Sequence, residues 1–167
     1  MEYSIREVAK IIGSKSNLLR EDTITMLLTD SRTVSFPEQS LFFALRTKTN
    51  DGHKYIPELY KLRVRNFVVS EMPPSTDMYA DANFLLVKDP LRALQQLAAH
   101  HRKKFEIPVI GITGSNGKTI VKEFLYQLLH TEFNIVRSPR SFNSQLGVPL
   151  SVWQINPKHT LGIFEAG

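Results

Sequence analysis

With 167 residues, 42% of them hydrophobic, the chain can bury a core in one domain or in two small ones. It carries a net charge of +5 and no cysteine, which excludes disulfides and thiolate chemistry and makes a reducing compartment, by default the cytoplasm, the expected location. No apolar run approaches the ~20 residues that span a bilayer, Met1 to Ser4 lacks a signal-peptide pattern, and no basic run exceeds Arg102-Lys103-Lys104, so neither membrane insertion nor nucleic-acid binding is expected.

In chain order, Ser4 with Glu7 three places on reads as a capping box opening a helix that carries Val8, Ile11 and Ile12 and stops at Gly13. Strands are expected at 25–28 and 41–45, separated by the turn-prone stretch 33–40 with Pro37. A helix over about 55–62 leads to a strand at 67–69, and a loop over 73–81 leads to another at 84–87. Asp89 caps a further helix with Pro90 in its first turn and Leu91, Leu94, Leu97 and Ala98 turned inward, ending near Lys104. His100 and His101 have no ligand partners at metal spacing and read as helix surface. A final strand is expected over 161–164. This alternation is that of an α/β protein.

The most informative stretch is Gly111-Ile112-Thr113-Gly114-Ser115-Asn116-Gly117-Lys118-Thr119. Before it, Val109, Ile110 and Ile112 read as a buried strand; after it, Ile120, Val121, Phe124, Leu125, Leu128 and Leu129 fall on one face of a helix beginning near Lys118. The loop thus sits at a helix N-terminus, where unpaired N–H groups and the positive end of the dipole attract anions and glycines let a phosphate approach the backbone. Lys118 would reach the terminal phosphates and the Thr119 hydroxyl would hold Mg2+. The match is to Gly-Lys-Thr and its context, because Ile112 stands where the usual pattern has its first glycine. Charge agrees with this reading. Residues 1–89 hold twelve Lys/Arg and twelve Asp/Glu, whereas 90–167 hold nine Lys/Arg and four Glu, so the excess lies with the loop.

The loop and the following Val121-Lys122-Glu123 resemble the Mur ligases, in particular the type that joins D-alanyl-D-alanine to UDP-N-acetylmuramoyl-tripeptide. Further blocks agree: Thr29-Asp30-Ser31-Arg32, the run Leu41 to Arg46, Asp51-Gly52-His53, the run Phe142 to Pro149, and Phe164-Glu165-Ala166-Gly167. The resemblance implies a small N-terminal α/β domain over 1–83 that holds the UDP end of the substrate, a connecting helix over 84–106, and over 107–167 the truncated start of a P-loop ATPase domain with a mainly parallel sheet. It implies ATP and Mg2+ as cofactors, with Gly114, Ser115, Asn116, Gly117, Lys118, Thr119 and Ile120 on the nucleotide, Thr119 and Glu165 on the metal, and Lys118 and Glu165 as catalytic residues. Substrate contacts are implied for Ser31, Arg46, Thr49, Asn50, Asn143 and Ser144. Asp30 and Arg32 read as a structural turn and ion pair, and His53 as either a cap or a substrate contact. A related Mur-type ligase adding diaminopimelate or lysine, a folylpolyglutamate synthetase, and a non-catalytic UDP-sugar-binding module are the alternatives, and the oligomeric state is left open.

Overall fold

The computed structural model describes residues 1–167, and the chain falls into two compact units, Met1–Gln96 and Leu97–Gly167.

In the first unit, β1 (Tyr3–Ser4) pairs antiparallel with β2 (Thr23–Ile24), and α1 (Ile5–Ile11) follows β1 directly. The expected capping box is present: the Ser4 side chain accepts from the Glu7 N–H and the Glu7 carboxylate accepts from the Ser4 N–H. Gly13, at φ 69°, ends the helix in the left-handed region that glycine enters without strain. Four parallel strands then form a sheet in sequential order, β3 (Met26–Leu28), β4 (Ser40–Phe43), β5 (Asn66–Val69) and β6 (Asn83–Leu86). Short 3-10 turns and α2 (Ile56–Lys61) make the crossovers.

Strand side chains alternate between faces, and here both sets are apolar. Phe42, Phe67 and Phe84 share a core with Leu28, Ile56, Leu59 and Tyr79, and the Phe67 and Phe84 rings stack at 5.3 Å. Their neighbours Leu41, Phe43, Val68 and Leu85 are equally buried. At the sheet's N-terminal edge the buried amides of Asn66 and Asn83 hydrogen-bond each other, and Asn83 ties down the backbone of Leu19 and Arg20. β6 completes the first unit's sheet, and the division between the units falls inside α3 (Pro90–Lys103), after Gln96. Asp89 caps that helix as expected, accepting from the N–H groups of Leu91 and Arg92.

The second unit holds β7 (Val109–Ile112), α4 (Lys118–Leu129), β8 (Ile135–Arg137), α5 (Gly147–Val152) and β9 (Leu161–Glu165). All three strands are parallel, in the order β7-β9-β8. On one face Ile112, Leu161 and Ile163 pack with Leu125, Leu129 and Phe133; on the other Phe105, Val136, Ile155 and Phe164 pack with Val152.

Three expectations are corrected here. Only Leu125 and Leu129 of the apolar α4 residues reach the core, while Ile120, Val121, Phe124 and Leu128 are exposed, because the helix is covered only on its sheet side. β7 is the edge of the sheet, so Val109 is exposed and only Ile112 of its apolar residues is buried. His101 is buried, not on the surface: its Nε2–H donates to the Ile155 carbonyl at 2.9 Å and its ring lies against Phe105 and Trp153. Burial accordingly holds its imidazole below the ordinary 6.5.

Candidate functional site

The loop from Thr113 to Gly117 leaves the C-terminal end of β7 and enters α4, whose N-cap, Gly117, makes no side-chain capping bond. The first-turn amides are thus left for a ligand. Gly114 and Gly117 take φ values of 139° and 77°, and a Cβ added at either would meet nothing within 4 Å. Conformation, not crowding, requires glycine at both. Ser115, Asn116 and Ile120 are exposed, and Lys118 folds back so that its ammonium donates to the Gly114 carbonyl at 2.5 Å. This places its charge over the loop.

Pairing of β7 with β9 sets Ile112 beside Glu165, so the glutamate stands at the root of the loop. The Thr119 hydroxyl donates to Glu165 Oε2 at 3.1 Å. A hydroxyl and a carboxylate are both hard oxygen donors, the kind that Mg2+ takes. The donor set therefore fits Mg2+. Oε1, fully buried, lies 2.8 Å from the ammonium of Lys122 but off the direction a hydrogen bond requires, so charge rather than a directed bond compensates it. Lys122 has zero exposure, and the sequence alone gives it no role in the site. Its spacing is nevertheless readable: 118, 122, 125 and 129 form one stripe of the helix, the stripe that faces the sheet.

Asn143 and Ser144 lie beyond β8. The Asn143 carbonyl accepts from the Gly167 N–H at 2.8 Å, and Ser144 Oγ accepts from the Gly147 N–H at 3.0 Å, which starts α5. Gly147 packs on the Phe142 backbone so closely that a Cβ would sit 2.9 Å from it. Asn143 thus ties the loop to the end of β9, and Ser144 fixes the start of α5.

The remaining sequence-predicted residues belong to the first unit, in loops at the C-terminal edge of its parallel sheet, where open α/β sheets bind ligands. Asp30 caps the 3-10 turn Ser31–Thr33 and pairs with the Arg32 guanidinium, as the structural reading expected, leaving Ser31 half-buried at the start of the turn. Arg46 bridges two loops, donating to Asp51 at 2.8 Å and to Glu71 at 2.7 Å, and both carboxylates favour its charged form. Asn50 closes a tight turn with Thr47 and accepts from the Tyr55 hydroxyl, while Thr49 is exposed at the tip.

His53 has a structural position. The Ser70 N–H donates to its Nε2, so Nδ1 carries the proton and donates to Asp51 at 2.6 Å. Asp51, His53 and Glu71 bring ligand atoms within 4.8 Å of one another, but the Arg46 guanidinium already lies on both carboxylates and Ser70 occupies the imidazole.

Hydrogen bonding to the ionised form sets the acid response of this edge. The His53 backbone N–H holds the Asp51 carboxyl at about 2, against an ordinary 3.8, and the Arg32 guanidinium holds Asp30 at about 2. Both values lie below those of the unfolded chain, so the stability they contribute is complete above about pH 4 and is lost as pH falls toward 2. Both side chains are more than a third exposed, so solvent screening keeps the effect small. Thermal melts from pH 5 to 2 are expected to fall less steeply for Asp51→Asn than for the parent; parallel curves would show that Asp51 gains nothing from its partners.

A parallel strand, a glycine loop and a helix entered through that loop define the phosphate-loop class of α/β protein. The chain belongs to the Mur ligase family: the model described as "Mur ligase family, catalytic domain" matches residues 23–102 and that of the "Mur ligase middle domain" matches residues 112–167. Among curated relatives, the UDP-N-acetylmuramoyl-tripeptide–D-alanyl-D-alanine ligase of Synechocystis is 36% identical over 152 residues, covering 91% of this chain and 33% of the relative. The ligase of the same name from Treponema pallidum is 38% identical over 145 residues, covering 83% of the chain and 31% of the relative. The chain spans about a third of the length of the curated relatives it matches. A crystal structure of MurF from Acinetobacter baumannii superposes over all of the chain and 36% of its own, with a TM-score of 0.87 at 24% identity, which shows the fold. MurF from Thermotoga maritima in complex with ADP aligns with 84% of this chain and 31% of its own, with a TM-score of 0.71 at 27% identity. No helix is long and apolar enough to cross a membrane.

Proposed function

We propose that this chain supplies the UDP-substrate-binding and ATP-phosphate-binding parts of a cytoplasmic ligase that joins D-alanyl-D-alanine to UDP-N-acetylmuramoyl-tripeptide. The observation that carries the nucleotide half is the meeting of the glycine loop, Lys118, Thr119 and Glu165 at the ends of two paired strands. The relatives' shared name supports the substrates.

A carboxylate does not acylate an amine directly, since its oxygens are poor leaving groups. Transfer of the γ-phosphoryl group of ATP to the peptide carboxylate makes an acyl phosphate, and attack by the free amine of D-alanyl-D-alanine then gives the amide and inorganic phosphate. The protein's part is to align the reactants and hold negative charge. On this reading the loop amides and the Lys118 ammonium bind the phosphate oxygens, and Thr119 with Glu165 holds Mg2+. That ion, when bound, neutralises charge that develops on the phosphates. The first unit would hold the UDP end at the loops bearing Ser31, Arg46, Thr49 and Asn50, and Asn143 with Ser144 would line the segment beside Glu165.

Calorimetry on the 167-residue chain tests both halves. ADP with Mg2+ is expected to bind, and UDP-N-acetylmuramoyl-tripeptide is expected to bind whether or not nucleotide is present. A folded chain, checked by circular dichroism, that ignored ADP at millimolar concentration would overturn the phosphate site; one that ignored only the muramoyl peptide would overturn the substrate assignment.

A further inference from the structure

Lys122 is a lysine with no exposed surface in a helix whose apolar side chains are largely outside. Removing an ammonium from water costs several kcal/mol unless partners replace the water, and a methionine of similar length would fill the same space without that cost. The partners are specific. Nζ donates to the Ser138 carbonyl at 2.8 Å and to the Arg140 carbonyl, and it stands 2.8 Å from Glu165 Oε1. Glu123, half-buried and engaged with Arg137, is farther away at 3.4 Å. One cation thereby joins three pieces of backbone: α4, the segment after β8, and the end of β9.

The same segment is fastened to β9 from its other side, where Ser138 Oγ accepts from the Glu165 N–H and the Ser138 N–H donates to Ile163. Glu165 is therefore gripped at its backbone by Ser138 and at Oε1 by Lys122, which leaves Oε2 turned toward the Thr119 hydroxyl. A carboxylate with both oxygens free would rotate about its last bond; the attraction of the Lys122 ammonium keeps Oε1 on its side and Oε2 toward Thr119.

We propose that Lys122 is a positioning residue, whose ammonium orients the Glu165 carboxylate for a divalent cation at Thr119 and couples that orientation to the backbone at Ser138 and Arg140. The inference rests on the phosphate-site reading for its metal but on the Lys122–Glu165 contact for its mechanism.

The test is a double-mutant cycle on the 167-residue chain, with Lys122→Met, Glu165→Gln and the two combined, read by thermal melting without ligand and by Mn2+ binding in the presence of ADP, followed through the paramagnetic signal of free Mn2+. Lys122→Met leaves a buried carboxylate uncompensated and is expected to lower the melting temperature by about 10 °C. The double variant, which removes the orphaned charge, is expected to recover a large part of that loss. Lys122→Met is expected to weaken Mn2+ binding at least ~10-fold while ADP affinity without metal stays the same, and to have no further effect on Mn2+ in the Glu165→Gln background. If the double variant is no more stable than Lys122→Met, folded or not, the lysine serves only the carbonyls and the proposal falls. It falls equally if folded Lys122→Met binds Mn2+ like the parent. Absence of Mn2+ binding by the parent with ADP would refute the phosphate-site reading instead, with the melting arm still deciding whether the lysine acts through the glutamate.

Discussion

Replacing Lys118 with alanine is expected to remove ADP binding from this chain and, in a ligase that carries this sequence at full family length, to lower the rate at least ~100-fold while leaving muramoyl-peptide binding intact. The ammonium has no structural partner that would be missed: its one contact is the carbonyl of Gly114, in the exposed loop that it overhangs. Hydrogen bonds to a charged group are worth ~1.5–3 kcal/mol in a ground state, and the contribution grows where charge shifts during phosphoryl transfer. Alanine is the strongest helix former, so α4 should persist. Steady-state kinetics paired with a thermal melt decides the matter. Near-normal turnover with an unchanged melt would mean that this loop is not the catalytic phosphate site.

Gly52→Ala is expected to act on the first unit, and through structure before function. A Cβ there would lie 2.7 Å from the Leu45 nitrogen and 2.9 Å from the Ala44 carbonyl carbon and Cα, all backbone atoms at the end of a buried strand. No rotamer change relieves such a contact. Either the Gly52–Leu45 hydrogen bond of 2.8 Å breaks or the loop moves away from β4. Overpacking of this kind costs ~1–3 kcal/mol, which for a chain of this length lowers the melting temperature by about 5 °C. The displacement also carries Asp51 away from Arg46, so weaker muramoyl-peptide binding should accompany the lower melt. An unchanged melting temperature would show that the loop yields without cost. Gly117 makes an instructive contrast: it has space for a methyl group and an unfavourable φ of 77°, so alanine there strains the phosphate loop and leaves packing alone.

Features governed by a few neighbouring residues were legible in the sequence. The capping box of Ser4 and Glu7, the Asp89 cap, the stop at Gly13, the alternation of strand and helix segments and the strand-loop-helix around Lys118 all depend on side chains within one or two turns of each other. The short strand β8 and helix α5 were not foreseen, because three and six residues are too few for a hydrophobic period to emerge. His53 was undecided for a related reason: a histidine two places from an aspartate suits a cap or a ligand contact equally, and the bond from Ser70, seventeen residues on, gives it a structural place.

By itself, then, the sequence determined where the chain bends, which segments alternate as strand and helix, and that Gly114, Gly117, Lys118 and Thr119 sit together at a helix start, since each of these is a local balance of backbone conformation and hydrogen bonding. Only the tertiary structure decided which faces are covered and which distant charges meet. The order β7-β9-β8 exposes the outer side of α4, whose apolar residues look inward-facing when the helix is read alone, and brings Glu165 to within 3.1 Å of Thr119, 46 residues earlier. The same strand order turns Lys122, outwardly one more charge on an amphipathic helix, into a fully buried partner of that glutamate. Pairing between parallel strands is a long-range choice made by the whole sheet, and no local pattern along α4 specifies which strand will lie beneath it.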